Sequence, residues 1–397
     1  MRRRLWEVAS LFLKIGVTGF GGPAVTIAMM EDEVVARRKW LDREYFLDLI
    51  GTTNLIPGPN AAELAMHVGY LHAGWLGLIV GGACFIIPAA LITGALAWAY
   101  VRFGSLPQVT PFLQGIKPAV LAVIVAALWR LGKAATKGWK LAAIGLLATG
   151  ASLLGTNEIL ALFAGGILGM LWLRVANLKR LFSDKKGIRH LGSWAPVALL
   201  STASAGLGAT GPALGHALSA VASVPLWRLG LFFLKIGAVL YGSGYVLVAF
   251  LEGGLVHDLG WLSQQQLLDA IAAGQVTPGP LLSTATFIGY LLRGAPGAIV
   301  ATVAIFLPSF VVVAALSRVV PRFRRSPWAA AFLDAINVCS LGLMAAVSLK
   351  LGTATLRTWP AVVIALVAAL VAMRWKVNST WLVVGGAVAG WLLSLLT

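Results

Sequence analysis

The chain has 397 residues, of which 59% are hydrophobic and 11% carry a charge. Soluble domains average about 25% charged residues, so this composition excludes a soluble domain and indicates an all-α polytopic membrane protein. The net charge of +17 does not indicate nucleic-acid binding, because the basic residues cluster in short loops between apolar runs.

The hydrophobic runs divide the chain into two sets of six units, and several units approach the ~20 residues that a membrane-spanning helix needs. In the first half the units cover 5–30, 45–71, 73–101, 110–131, 139–155 and 157–175. In the second half they cover 228–251, 265–291, 295–319, 328–349, 358–373 and 378–396.

A basic loop over 177–189 and an unpaired apolar stretch over 195–224 lie between the two sets. We interpret the apolar stretch as an extra transmembrane span. The predicted organisation is an N-terminal repeat at 1–176, a basic cytoplasmic loop plus connecting span at 177–224, and a C-terminal repeat at 225–397.

The two halves repeat one sequence. Phe12–Gly16 returns unchanged at Phe233–Gly237, which is 221 positions later, and after a slip of one residue Pro88 matches Pro308. Internal symmetry of this kind is typical of membrane transporters built from two copies of one unit.

The lysines and arginines predict that the two repeats have inverted topology. With Arg2–Arg4 in the cytoplasm, the loops on that side hold most of the basic residues, including those in 130–140, 174–189 and 318–325. The N-terminus is then cytoplasmic and the C-terminus lies outside. Without the extra span over 195–224, the repeats would be parallel.

One loop, Glu31–Glu44, disagrees with a topology in which each unit crosses the membrane once, because its four basic residues would fall outside. It moves inside if the first two units are each broken hairpins, re-entering at Gly19–Pro23 and at Pro57–Pro59. The sequence leaves open whether these units span or re-enter.

Pro57-Gly58-Pro59 and Pro278-Gly279-Pro280 each interrupt an apolar run, because proline lacks an N–H group and glycine permits a sharp redirection. A helix that restarts after the break directs unpaired N–H groups and a positive dipole end at one spot, which suits an anion. The alternative is that each motif only turns a re-entrant hairpin. Polar residues flank both copies, and this favours a substrate site: Asn54 and Asn60; Gln275 and Thr277.

A second break, Gly21-Gly22-Pro23, is matched by Gly242-Ser243-Gly244. Glycines alone are a weak signal, since close helix packing in membranes also uses them. The first copy follows soon after an intramembrane lysine, so both copies are candidates for the substrate site.

Lys14 and Lys235 occupy matching positions inside apolar units. A charge deep in the bilayer costs about 2.5–3.5 kcal/mol on insertion scales, so it usually marks a transport pathway or a buried pair. The alternative is that each lysine snorkels to the interface. We interpret both as substrate-binding residues.

Glu63 and His67 lie four residues apart, on one face of the helix that follows the first Pro-Gly-Pro, and are candidates for a coupling proton. Helix–helix hydrogen bonding is an equal alternative. Glu31 and Glu252 match across the repeat, but capping at the membrane interface explains them as well. The scattered histidines have no metal-ligand spacing, so we expect no metal site, no catalytic residues and no enzymatic activity.

Several motifs resemble those of the chromate ion transporter family in its long, two-domain form. Gly19–Pro23 and Asn54–Asn60 are similar to the first domain. Leu240–Val246, Gly274–Pro280 and Phe306–Phe310 are similar to the second. The resemblance spans nearly the whole chain.

The resemblance implies a multi-pass protein of the bacterial inner membrane that exports chromate and confers chromate resistance, with sulfate as competitor. Its expected partners are the oxyanion and the lipid bilayer, without nucleic acid and without a cofactor. A homodimer is compatible with the sequence, which leaves the oligomeric state open. It also leaves open whether a proton, sulfate exchange or the membrane potential drives export. The alternatives are a carrier for sulfate or other oxyanions, and an anion channel.

Overall fold

The computed structural model describes residues 1–53, 56–183, 224–241, 244–316, 326–375 and 377–395. Most of the predicted extra span, together with Asn54, Gly242 and Ser243, lies outside these ranges. The described chain is helical and contains no strand.

The first half contains seven helices: α1 (Arg2–Thr18), α2 (Pro23–Glu31), α3 (Arg43–Thr53), α4 (Asn60–Phe103), α5 (Thr110–Ala135), α6 (Trp139–Leu153) and α7 (Glu158–Ser183). The described part of the second half contains α8 (Leu226–Val239), α9 (Leu247–Leu251), α10 (Gln264–Val276), α11 (Thr284–Leu316), α12 (Pro327–Thr355), α13 (Trp359–Arg374) and α14 (Ser379–Ser394). π-Helical turns extend α2 and α9, over Asp32–Arg37 and Glu252–Asp258.

Helices α4 and α11 are each folded back on themselves. Gly74 (φ 68°, ψ −153°) breaks α4, and Gly294 (φ 64°, ψ −152°) breaks α11 in almost the same conformation. Within α4, Gly69 packs against Gly77, so the short first arm runs back along the second arm. The breaks fall within two residues of the predicted boundary between the second and third hydrophobic units: Gly294 lies between the units of its half, and Gly74 is the second residue of the unit 73–101.

Helices α1 and α2 also form a hairpin, with its turn in Gly19–Gly22. Lys14 Nζ lies 2.7 Å from Glu33 Oε1, and Arg38 Nη1 donates to the carbonyl of Glu7 at 3.5 Å. His72, at the tip of the α4 hairpin, contacts Glu7 at 3.0 Å. One end of the molecule therefore holds the start of α1, the loop after α2 and the turn of α4.

The fourth helices of the two halves, α5 and α12, exchange partners. Helix α5 packs against α13 and α14 of the second half, whereas α12 packs against α6 and α7 of the first half. By contrast, α1 packs on α4 and α8 packs on α11 within their own halves, and α4 contacts α11 across the two halves. Each half therefore completes the other.

Corresponding helices of the two halves run antiparallel. Tyr100, near the end of the second arm of α4, contacts Phe287 with ring centroids 5.3 Å apart, and the neighbouring Thr286 bonds Thr302 in the earlier part of the second arm of α11. Gly82, earlier in α4, packs against Phe310, later in α11. Lys137, just after α5, pairs with Asp334 near the start of α12, so α5 and α12 are also antiparallel.

Four helical stretches are long and apolar enough to cross a membrane: Asn60–Phe103, Thr110–Ala135, Leu281–Ala315 and Pro327–Thr355. Three shorter apolar helices accompany them: Trp139–Leu153, Trp359–Arg374 and Ser379–Ser394. This confirms the prediction of an all-α protein with membrane-spanning helices.

The close packing of α5 on α14 gives the first testable prediction. A β-carbon at Gly115 would overlap the backbone of Gly386 and Gly390, whereas one at Gly132, also on α5, would meet nothing within 4 Å. We expect Gly115→Val to lower the melting temperature in detergent, through an overpacking cost of about 1–3 kcal/mol. Gly132→Val is the matched control, and equal melting temperatures for the two variants would contradict this packing.

Candidate functional site

The Pro-Gly-Pro motifs lie where the two halves meet. Gly58 N donates to the carbonyl of Leu240 at 2.8 Å, and Gly279 N donates to the carbonyl of Gly19 at 3.1 Å. The two donors are 221 positions apart, and so are the two acceptors. The break in each half therefore bonds the end of the first helix of the other half.

Both glycines adopt positive φ angles, 139° at Gly58 and 92° at Gly279, which favour glycine. Their amides have protein partners, so a ligand here would contact mainly the side chains around them. The sequence predicted the breaks but not these partners, which lie on the opposite half of the chain.

A buried carboxyl group lies beside the first break. A β-carbon at Gly58 would overlap Glu63 Oε1 and Ser309 Oγ, so the three residues converge. Glu63 is fully buried, and neither of its oxygens meets hydrogen-bond geometry with any described residue. His67, one turn further along α4, is 3% exposed, and its Nε2 has no partner in the described part of the chain.

The matching position in the other half is apolar. A β-carbon at Gly279 would meet Ala89, which occupies the position equivalent to Ser309. In place of Glu63, the second half has the hydroxyls of Ser283 and Thr284, and Thr284 bonds the carbonyl of Leu281. The two breaks therefore have the same backbone arrangement, but a carboxyl group lies beside the first and hydroxyl groups lie beside the second.

Further polar groups surround the second break. Gln275 and Thr277 are buried; the Gln275 side chain interacts with that of Tyr245, and Thr277 Oγ1 accepts from Thr93 at 3.1 Å. The turn at Gly21 and Gly22 lies close by. A β-carbon on Gly21 would lie 3.0 Å from Asn378 Nδ2, and one on Gly22 would lie 3.6 Å from the Tyr245 hydroxyl.

The two predicted lysines have different surroundings. Lys14 pairs with Glu33, which also contacts Arg37 at 3.4 Å and Arg38 at 3.3 Å. Lys235 is exposed and forms no ion pair within the described ranges. The residue equivalent to Glu33 is Gly254, so the second lysine lacks the carboxylate that neutralises the first.

The matched glutamates also differ. Glu31 pairs with Arg43 at 3.1 Å near the surface. Glu252 is 3% exposed and lies 3.7 Å from Lys350 on α12. Both therefore have a cationic partner.

Sequence reasoning missed Glu33 and Ser309. Glu33 lies 19 residues after Lys14, and only the hairpin brings them together. Ser309 gave one signal, because it directly follows Pro308, which is matched across the repeat.

The described architecture has two copies of a broken-helix unit, apolar helices long enough to cross a membrane, and a polar centre where the copies meet. These features define a polytopic α-helical transporter. The chromate transporter family model matches the chain twice, at residues 6–170 and 227–391, and the chain belongs to this family.

Relatives with similar sequences carry the same assignment. The chain is 32% identical to a probable chromate transport protein of Synechococcus elongatus over 377 residues, which cover 94% of this chain and 91% of the relative. It is 31% identical to the chromate transport protein of Cupriavidus metallidurans over 96% of this chain and 91% of the relative. For the chromate transport protein of Pseudomonas aeruginosa the identity is 30%, over 97% and 92%. No solved structure matches the chain.

The Lys14–Glu33 pair predicts a pH dependence of stability. The hydrogen bond from Lys14 holds the pKa of the Glu33 carboxyl below its usual range. The pair therefore stabilises the fold above the ordinary carboxyl pKa, and this stabilisation is lost as the pH falls through the lowered pKa of Glu33.

We expect wild-type protein to melt a few degrees above Glu33→Gln at neutral pH, because Glu33 is buried but Lys14 is half exposed, so solvent screening limits the pair to about 1 kcal/mol. The difference should disappear as the pH is lowered towards about 3. Melting in detergent across this range is the measurement. A difference that stays constant at every pH would contradict the assigned pair.

Proposed function

We propose that the protein is a secondary active transporter that exports chromate across the bacterial inner membrane and confers chromate resistance. Export proceeds by alternating access around one oxyanion site near the membrane midplane. The observation that carries this proposal is the reciprocal pair of hydrogen bonds, Gly58 to Leu240 and Gly279 to Gly19, because it joins two equivalent breaks at one polar centre.

We assign inverted topology to the two repeats, with the N-terminus cytoplasmic and the C-terminus outside. The antiparallel course of α4 and α11 supports this, because repeats related by an axis along the membrane normal would keep corresponding helices parallel. The α1–α2 hairpin gives further support, since it brings the basic loop Glu31–Glu44 to the side of the N-terminus.

The substrate site in this proposal comprises the two breaks and their flanks. In the first half these are Gly21, Gly22, Pro23, Asn54, Pro57, Gly58, Pro59 and Asn60. In the second half they are Gly242, Ser243, Gly244, Gln275, Thr277, Pro278, Gly279 and Pro280. Because the amides of Gly58 and Gly279 are engaged, we assign substrate contacts first to side-chain donors such as Gln275. Amide and hydroxyl donors recognise charge and tetrahedral shape, so sulfate should compete with chromate.

Of the two proposed substrate lysines, Lys235 provides the stronger attraction for a dianion. Glu33 neutralises Lys14, whereas Lys235 has no carboxylate partner among described residues.

A matched pair of variants tests this difference between the two lysines. Lys235→Ala should weaken chromate and sulfate uptake about tenfold or more, the effect of a lost charge-assisted hydrogen bond, and Lys14→Ala should do so less. Equal effects, or none, would remove this distinction between the lysines.

We place the coupling proton at Glu63, with His67 as its neighbour. A fully buried carboxylate without a cation is costly in the membrane, so the neutral, protonated form is favoured at rest. Glu31 and Glu252 are secondary candidates, because each is held by a cation.

Glu63→Gln tests this coupling. The variant keeps the shape and neutrality of a protonated glutamate, so exchange of labelled chromate between the two sides of a proteoliposome should continue. Accumulation driven by a pH gradient should be lost. Glu44→Gln, an exposed position at the start of α3, is the matched control. Gradient-driven accumulation at the wild-type level would exclude Glu63 as the coupling site.

Counterflow in proteoliposomes tests the function itself. Uptake of radiolabelled chromate that is stimulated by chromate or sulfate inside the vesicle is the expected result for a carrier. Stimulation by sulfate with no chromate transport would replace chromate as substrate with sulfate or another oxyanion. Single-channel currents without stimulated exchange would identify an anion channel instead.

A further inference from the structure

A second positively charged region lies away from the breaks, in a cavity of about 360 Å³ between α5, α10, α12 and α13. Its lining includes Lys117, Arg357, Gln114, Gln264 and Thr355, and no acidic residue. A small cavity with two cations and several amide and hydroxyl groups is chemically suited to an oxyanion.

The repeat provides a built-in comparison for this cavity. Helices α5 and α12 align without a gap at an offset of 220, matching Phe112-Leu113 with Phe332-Leu333 and Leu131-Gly132 with Leu351-Gly352. At this offset Gln114 corresponds to Asp334. Lys117 corresponds to Asn337, and Arg357 to Lys137.

The corresponding residues line a second cavity of about 210 Å³ at the other ends of α5 and α12. There Lys137 pairs with Asp334 at 2.9 Å, so the cation is neutralised by the protein itself. In the larger cavity, Gln114 stands in the position of Asp334. Arg357 consequently has no ion pair within the described chain, and Lys117 adds a second positive charge.

Lys117 forms an ion pair with a carboxylate that does not line the cavity, and its ammonium group has further N–H donors. Its Nζ lies 3.6 Å from Asp269 Oδ2, an oxygen that already accepts a hydrogen bond from Tyr100 at 2.9 Å. Lys117 thus retains capacity to donate into the cavity.

Two unengaged groups point to a ligand with acceptor oxygens. Thr355 Oγ1 is buried and has no hydrogen-bond partner in the part of the chain described. Thr358, the N-cap residue of α13, makes no side-chain capping bond, which leaves the N–H groups of Trp359 and Ala361 without that partner, while Pro360 has no N–H.

We propose that this cavity is a second oxyanion site, separate from the breaks, that binds a tetrahedral anion such as inorganic sulfate or chromate. Arg357 and Lys117 supply the charge, and Gln114, Thr355 and the start of α13 supply neutral groups. The proposal concerns binding alone, so it stands whether or not the transport mechanism proposed above is correct.

The neutralised cavity suggests the decisive variant. Gln114→Asp restores the carboxylate found at Asp334 and should pair with Arg357, thereby excluding the anion. Gln114→Asn is the control, because it matches aspartate in size without its charge. Arg357→Gln is a second variant, at an exposed position with no ion pair among described residues to lose.

The measurement is equilibrium binding of radiolabelled sulfate to purified protein in detergent, with size-exclusion chromatography to check folding. We expect Gln114→Asp and Arg357→Gln to lose one bound sulfate, or to weaken it about tenfold or more, while Gln114→Asn, which shortens a contact without adding charge, weakens it clearly less than Gln114→Asp does. Counterflow on the same samples reports the central site separately.

An anionic phospholipid headgroup offers the same tetrahedral oxyanion chemistry, and mass spectrometry of retained lipid distinguishes the two sources. Loss of a retained phosphatidylglycerol from Gln114→Asp and Arg357→Gln, with sulfate binding unchanged, assigns the site to a lipid phosphate. Unchanged sulfate binding and unchanged lipid in both variants would overturn the proposal.

Discussion

A helix broken inside an apolar environment leaves backbone N–H and carbonyl groups that water does not reach, and the rest of this structure depends on how they are satisfied. Each half of the chain supplies what the other half lacks. Gly58 donates to Leu240, at the end of α8, and Gly279 donates to Gly19, at the end of α1. At the glycine of each break the acceptor lies in the other half, so the two breaks are joined to each other's halves. The partner exchange of α5 and α12 extends the same dependence to the long helices.

The backbone arrangement is symmetric, but the side chains differ between the two halves at two places. Ser309 and Glu63 meet beside the first break, where the second has Ala89 and hydroxyl groups. Lys14 has a carboxylate partner, Glu33. In the second half the position equivalent to Glu33 is Gly254, so Lys235 lacks that partner. Symmetry of shape permits two related conformations, while differences in charge allow one direction of movement to be coupled to another ion.

Much of the fold could be predicted from the sequence. The boundaries between hydrophobic units fall at Gly74 and Gly294, because a run of apolar residues interrupted by glycine is a local signal. Broken hairpins in the first two units were one way to bring the basic loop Glu31–Glu44 inside; α1 and α2 pack as a hairpin, and whether it re-enters the membrane stays a prediction. The partner of Lys14 could not be predicted, since several acidic residues follow it and only the fold selects Glu33. The hydrogen bonds of the Gly58 and Gly279 amides could not be predicted either, because their acceptors lie in the other half.

The sequence by itself determined the class of the protein, the duplication, the position of the breaks and the family, since composition, periodicity and motifs are properties of local stretches. Only the tertiary structure decided which groups meet. It paired Lys14 with Glu33, placed Ser309 against Glu63, and left Arg357 without the carboxylate that its counterpart Lys137 has. The physical reason is distance along the chain: these contacts join residues whose spacing carries no periodic signal, and packing alone brings them within hydrogen-bonding range.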